Sequence, residues 1–526
     1  MKRRFNIKPF QLIALIVVLF TSFSCKDKTF EEQNAETITP DQHYKSLIDA
    51  SVSLRGAFVP LQNVMPKLIV LDGLRSDQMT VTASADPYLV DINNQVLNFN
   101  NPYLDASDYY KVIVNCNEAI ANFYKIGKND RNFDEFYLKY TKGALIGLKS
   151  WTYLNLIKLY GKAALIEDNM VTLPKDLNQT ILEKNAMIDL LIDSLLPYIP
   201  STADLANKVE LQVGGYMNTK AVLGELYLEK GDYVNAVKYL KLAMESFGND
   251  PTFYKLSGDA NEGWRNIFTG GSFENISLVY YSQSQQQFNP LARWLLPTDQ
   301  FMVKPTTLLV DSFLTQVTSK DIRGDAYRGL GGLTSGPATI DTTSTGEFFI
   351  NKYSITKDEP FSAPIIISRV ADLHLLLAEA LNRNGDSKTA LVLMNQGFKN
   401  EKPVPPQYTK WSKNLGVRGR VYLKSRLVPD SVYELPITAD SVKIPLVGDA
   451  RMLYVEDLIM DERSLELAFE GKRWFDLVRV ATRRNDPAYL ADKVAAKFPE
   501  SQREAIRTKL MIPSNWYLPF TKAVAQ

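Results

Sequence analysis

The chain has 526 residues, 45% hydrophobic and 23% charged, which excludes a disordered or low-complexity protein and leaves room for a large folded body. Lys plus Arg number 60 and Asp plus Glu 59, a net charge of +1, so nothing points to nucleic acid as a partner. With two His and two Cys, neither a His-rich zinc site nor a disulfide framework can be built, and no cofactor or metal is expected.

The N-terminus reads as an export signal. Lys2, Arg3, Arg4 and Lys8 form a basic region, and Phe10 to Phe20 is apolar except for Gln11. That run is too short to span a bilayer and fits the apolar centre of a secretory signal. Ser22 and Ser24 lead into Cys25, which resembles a bacterial lipobox, with Cys25 as the first mature residue and lipid attachment site. An ordinary signal peptide with an incidental Cys is the alternative. The expected organisation is a signal peptide over 1–24, a flexible polar tether over 25–40 and one body over 41–526. Lipid on Cys25 would anchor that body to a membrane.

Within the body, the segment from Asp72 to Tyr103 is irregular and rich in turn residues. Helices follow. Tyr109 to Tyr124 places Val112, Cys116 and Ile120 at spacings of four, and Phe136 to Tyr160 is a long, largely apolar run closed by Gly161. Cys116 falls in the apolar stripe and reads as an inert buried thiol. Lys220 to Met244 reads as two amphipathic helices around Gly231-Asp232, with Gly224, Tyr227, Ala236 and Ala243 at the small, large, small and small positions of a tetratricopeptide repeat. In Ala371 to Gly397, Ala378 precedes Gly385 by seven and Ala390 by twelve, the spacings that separate Gly224 from Gly231 and Ala236. One template used twice implies a repeat. Repeat-like helices are expected near 105–160, 210–247, 365–398 and 455–482.

Between them lies a loop-rich variable region near 250–360 and 400–450. Ile276 to Tyr281 and Phe348 to Tyr353 are candidate short strands. The fold class is therefore mostly α: a tetratricopeptide-like helical scaffold with a loop-rich variable region and a few short strands. Loops on a rigid scaffold are where binding concentrates. Two of them carry flat aromatics beside amides and charges, Asp77 to Tyr103 and Tyr280 to Trp294. A sugar ring offers an apolar face and a rim of hydroxyls, which such a surface matches. The candidate ligand-binding residues are Asp77, Tyr88, Asn101, Tyr103, Tyr281, Arg293 and Trp294, with Trp294 the first choice for a stacking platform. Core packing is the competing role for each aromatic.

The stretch from Asp461 to Val480, DERSLELAFEGKRWFDLVRV, reads as a buried helix that starts slightly earlier, with Leu458, Leu465, Phe469 and Leu477 on one stripe. Gly471 interrupts it and permits a kink or a close approach. Glu470 with Arg473, and Asp476 with Arg479, are spaced to pair on a helix. The charges read as a structural ion network, and no paired nucleophile or metal-ligand spacing accompanies them, so no catalytic residue is assigned.

This string resembles the C-terminal signature of the SusD/RagB family of outer-membrane nutrient-binding lipoproteins, with Lys472 where His is frequent. YYKVIVNCNEAI, LKSWTYLNLIKLYG, LYLEKGDYVNA and LLLAEALNRNGD are similar to SusD-like segments in the same order, while Tyr517 to Phe520 departs from the usual Pro-Ile-Pro tail. The resemblance implies an outer-membrane, surface-exposed lipoprotein that captures an oligosaccharide or other nutrient. It would deliver that ligand to a TonB-dependent, SusC-like transporter, without catalysis. It also implies a binding region at the loop before the Tyr109 helix and in the central irregular region. The repeats alone would serve a protein–protein scaffold or a peptide-binding lipoprotein, and a glycoside hydrolase would need two carboxylates across a cleft.

Overall fold

The computed structural model describes residues 43–520 except 177, 200–216, 246–255, 257–262, 298–299, 318–322, 324–338, 355–358, 360, 434–436 and 439. The expected signal peptide, Cys25 and the tether lie outside the described residues.

The chain enters on α1 (Leu47–Phe58), started by a capping box between Ser46 and Asp49, and continues into α2 (Leu61–Arg75), which is buried along most of its length. Strand β1 (Met79–Val81) and the short α3 (Pro87–Asn93) carry the first irregular segment. Then come α4 (Ser107–Asn129) and α5 (Glu135–Tyr160), as the apolar spacing predicts, with Gly161 ending α5 in the left-handed conformation. Cys116 is fully buried in α4, and burial pushes its thiol up to about 12. Strands β2 (Lys162–Ala164) and β3 (Ile181–Glu183) pair, and α6 (Lys184–Leu195) follows.

The repeat reading holds in detail. Helices α7 (Thr219–Lys230) and α8 (Tyr233–Glu245) form one hairpin. A Cβ on Gly224 would lie 2.6 Å from the Leu240 side chain, so only Gly admits this approach. The second hairpin is built from α12 (Val370–Arg383) and α13 (Ser387–Met394), and α8 packs against α12. The two strings that share a template in sequence are therefore neighbours in space. Gly231 and Gly385 turn both hairpins at φ +84° and +88°.

The irregular half carries α9 (Gly263–Phe268), β4 (Asn275–Val279), α10 (Leu291–Leu295), β5 (Val303–Pro305), α11 (Thr307–Val317), β6 (Ile340–Thr342), β7 (Phe348–Ile350) and β8 (Ile365–Arg369). Farther on, β9 (Ser431–Tyr433) pairs with β10 (Lys443–Pro445). All five strand pairs among the described residues are antiparallel and two-stranded: β1–β5, β2–β3, β4–β8, β6–β7 and β9–β10. The β1–β5 pair joins the first irregular segment to the central one.

The C-terminal stretch departs from the single helix expected. It forms α14 (Gly448–Glu466) and α15 (Arg473–Arg484), separated where Phe469 and Gly471 take φ +64° and +72°. The break brings Gly471 against Leu68 and Ile69 of α2, and Trp474 is 1% exposed beneath the Arg75 guanidinium. Of the two expected ion pairs, Asp476–Arg479 forms at 2.6 Å and Glu470–Arg473 does not. Across the break Arg473 turns to Asp77, while Glu470 accepts from Arg369 and Lys352.

A polar core results. Glu466 accepts from Arg323, Arg369 and Arg420, and Glu462 from Arg323, Arg418 and Arg426, with both carboxylates fully buried. These cations hold the Glu462 and Glu470 carboxyls below the ordinary glutamate range against the opposing effect of burial. Two last helices, α16 (Pro487–Ala495) and α17 (Glu500–Leu510), close the body. The unusual tail docks after all. The Leu518 amide donates to Leu159 O at 2.8 Å, and the Phe520 ring meets Tyr160 edge-on at 6.1 Å.

Candidate ligand-binding site

The two loops singled out in the sequence meet. The β1–β5 register places Val81 opposite Val303, and beyond it the Thr82 amide donates to Met302 O at 2.9 Å. Met302 in turn donates its amide to Trp294 O at 2.8 Å, which fixes the end of α10 against the first loop. The rings of Tyr103 and Trp294 then stand 5.8 Å apart at 69°, an edge-to-face pair built from residues far apart in sequence. Both are half-buried, so each ring is anchored but not enclosed.

Local sequence explains the anchoring. Asp86 precedes Pro87 as an N-cap before a helix-starting proline, and its carboxylate accepts from the Leu89 amide at 3.0 Å. The other oxygen accepts the Tyr103 hydroxyl at 2.8 Å. Burial and Asp86 together raise the pKa of that hydroxyl, so it stays a neutral donor. Asn101 is 2% exposed. Its carbonyl accepts from the Tyr103 amide at 3.0 Å, and its amide donates to Tyr88 O at 3.0 Å. Asn101 therefore shapes the loop and has no free polar group to offer as first expected. Tyr88 itself is 44% exposed on the rim.

On the other loop Arg293 is exposed, its guanidinium 5.2 Å from the centre of the Phe361 ring. Phe361 meets Phe288 edge-to-face at 5.9 Å, and buried Asn289 holds both strands of chain together through Phe361 O and Ala363 O. Tyr281 corrects the sequence reading: its ring is 6% exposed and its hydroxyl donates to Gln62 O at 2.8 Å, so it is a packing residue. Asp77 is a second correction. It pairs with Arg473 through both oxygens at 2.7 and 2.8 Å, on the far side of β1 from the aromatic pair, and does not join the platform. The arrangement thus brings Tyr103 and Trp294 together, with Asp86 on the Tyr103 hydroxyl, while Arg293 lies over Phe361 and Tyr88 stands on the loop that Asn101 shapes. Asp86 was legible as an N-cap before proline. No local signal places Phe361, because only the fold carries it there.

The pair offers flat apolar surface suited to stacking, with the Asp86 carboxylate beside the Tyr103 hydroxyl and the exposed Arg293 on the same short helix as Trp294. Among the described residues no group of three or more His, Cys, Asp or Glu side chains is placed to hold a metal ion. No helix among the described residues is long and apolar enough to cross a membrane.

Comparison with known proteins agrees with this architecture. Residues 432–524 match the SusD family model. The chain is 23% identical to SusD-like protein P38 of Formosa agariphila over 514 residues, covering 90% of this chain and 92% of that one. Among solved structures, a SusD superfamily protein of Bacteroides thetaiotaomicron aligns with a TM-score of 0.59 at 17% identity, over 91% of this chain and 96% of the other. A laminarin-binding SusD-like protein aligns with a TM-score of 0.57 at 19% identity, over 90% and 98%.

Proposed function

The chain is SusD-like, and from that premise we propose that it captures an oligosaccharide on the Tyr103–Trp294 platform and delivers it to a TonB-dependent, SusC-like transporter of the outer membrane. The observation that carries the binding reading is the meeting of two distant loops in one edge-to-face aromatic pair, with Asp86 hydrogen-bonded to the Tyr103 hydroxyl. Each half-buried ring offers a face for a sugar, and the exposed Arg293 guanidinium is a candidate donor to its hydroxyls. In this reading Cys25 carries the lipid that keeps the body at the cell surface. In this reading the protein performs no chemistry on its ligand, and the ion pairs that hold Glu462, Glu466 and Glu470 support a structural role for those carboxylates.

The likeness to a laminarin-binding protein makes laminarin oligosaccharides the first ligands to titrate, within a wider panel of neutral glycans. Losing one stacking ring costs about 1–2 kcal/mol, roughly 5- to 30-fold in affinity. Calorimetric titration of Trp294→Ala with the glycan that binds the wild type should show that loss, with a near-normal melting temperature. Wild-type affinity in this variant, or measurable hydrolysis of the glycan by the wild type, would replace the reading.

A further inference from the structure

At the other end of the β1–β5 ladder lies a cleft of about 320 Å³ between α11, α14 and α16. That volume is at the lower end of the roughly 300–1,000 Å³ typical of small-ligand sites. Its charges are unequally spent. Arg473 is consumed by Asp77, and Arg426 lies 3.4 Å from Glu462 and 3.9 Å from Asp461. Lys493 lines the same cleft, and among the described residues no carboxylate lies within ion-pair distance of it; Asp77 feels its charge only at longer range, and its ammonium rests 5.0 Å from the centre of the Tyr489 ring. Of the three cations that line the cleft, Lys493 alone makes no direct ion pair among the described residues.

The hydroxyls of the wall are also committed in a definite sense. Ser312 donates to Leu308 O at 2.8 Å and Thr315 to Ser312 O at 2.9 Å, so what each has left is acceptor lone pairs. Ser464 accepts from the Gln78 amide at 3.4 Å and keeps its proton to donate. One ammonium outside any direct ion pair, hydroxyl acceptors and a hydroxyl donor suit a ligand that carries a single negative charge and several hydroxyls. Asp77 and Asp461 repel a dianion more than a monoanion. We propose that this cleft is a second ligand site, separate from the aromatic platform, for a sugar acid whose carboxylate pairs with Lys493. It goes beyond the platform reading and does not rest on it.

The test is titration of the full mature chain with D-glucuronate, D-glucose and inorganic sulfate, followed by calorimetry or ligand-observed NMR. A sugar-acid-sized molecule of ordinary ligand efficiency binds with a Kd on the order of 1 mM. Glucuronate should bind at about that level and glucose at least tenfold more weakly, roughly the loss of one charge-assisted contact. Lys493→Met should lose about tenfold for glucuronate, and Asp461→Asn, which removes a half-exposed opposing charge, should gain severalfold. Because Asp461→Asn predicts tighter binding, the test does not depend on a variant that fails to fold. Trp294→Ala should leave glucuronate binding unchanged, and Lys493→Met should leave the platform's glycan unchanged, so the two sites fail separately. Equal binding of glucose and glucuronate, sulfate binding as well as glucuronate, or no response to both Lys493→Met and Asp461→Asn would overturn the proposal.

Discussion

The break between α14 and α15 and the Tyr103–Trp294 platform are both dense in residues that ligands use, and they treat those residues in opposite ways. In the first, Glu462, Glu466 and Glu470 each accept from at least two cationic side chains and are almost wholly removed from water. In the second, Tyr103 gives its hydroxyl to Asp86 and both rings rest partly on the core, yet each is only half-buried, so ring surface remains. A closed set of partners makes a reactive-looking group part of the scaffold. An incomplete set leaves it available. The polar core also explains why the scaffold can afford loose loops: its ion pairs tie α14 and α15 to β8, α12 and residues 323 and 352 across the irregular half.

The comparison breaks most sharply if one member of the closed set is removed. Arg369 contacts Glu274, Glu466 and Glu470 with no exposure, so Arg369→Met leaves three buried carboxylates each short of one cation. The expected cost is about 3–5 kcal/mol, read from denaturant unfolding. A change within about 0.5 kcal/mol would mean that water already reaches these groups. Trp474→Ala, in the same region, should cost about 3–5 kcal/mol through the cavity it opens under Arg75.

Acid probes the same set without mutation. Arg479 and Arg483 hold the buried Glu379 carboxyl down to about 2, from an ordinary value of 4.5. A depressed carboxylate contributes stability that is fully present above its unfolded value and is lost as pH falls through the folded one. The stability gap between wild type and Glu379→Gln should therefore be constant above about pH 5.5 and narrow steadily from pH 4.5 towards 2. A gap that does not change over that window would show that Glu379 is not charged in the folded state.

Gly224→Ala tests the helical scaffold apart from its charges. The added Cβ lies 2.6 Å from Leu240, and overpacking of this kind costs about 1–3 kcal/mol. Glycan affinity should stay at the wild-type level, because the hairpin contributes no residue to the platform. A melting temperature equal to wild type would mean that α7 and α8 separate easily.

What could be read from the sequence follows the range of the forces involved. Helix positions, the repeated hairpin and the burial of Trp474 rest on periodicities within a turn or two, and these are local. The pairing of Glu470 with Arg473 was a local inference too, and failed because Phe469 and Gly471 break the helix between them. For the candidate site, the two loops chosen from composition do meet in the fold, and of the residues chosen on them some share a surface while others are enclosed or paired elsewhere. Tyr103 and Trp294 come together through β1–β5 pairing, which short strands announce weakly, while Asp77 and Tyr281 found partners on other elements that no spacing reveals.

Tyr281 gives the smallest effect and the cleanest contrast with Trp294. Both are aromatics of the same loop, and the sequence names both as candidate contacts, with Trp294 first. The fold separates them: Tyr281 is enclosed and its hydroxyl is committed to Gln62 O, whereas Trp294 keeps part of its ring at the surface. Tyr281→Phe removes one buried hydrogen bond and leaves Gln62 O to find another donor, a cost of about 0.5–1.5 kcal/mol in stability. Its affinity for the platform glycan should match wild type within twofold, since the ring stays where it packs. Calorimetry and thermal melts on Tyr281→Phe and Trp294→Ala together should then show the two losses in separate columns, stability for the first and affinity for the second. If Tyr281→Phe weakens binding as much as Trp294→Ala does, the ligand draws on the loop from below. The division between closed and open partner sets would then fail at the residue where it is drawn most finely.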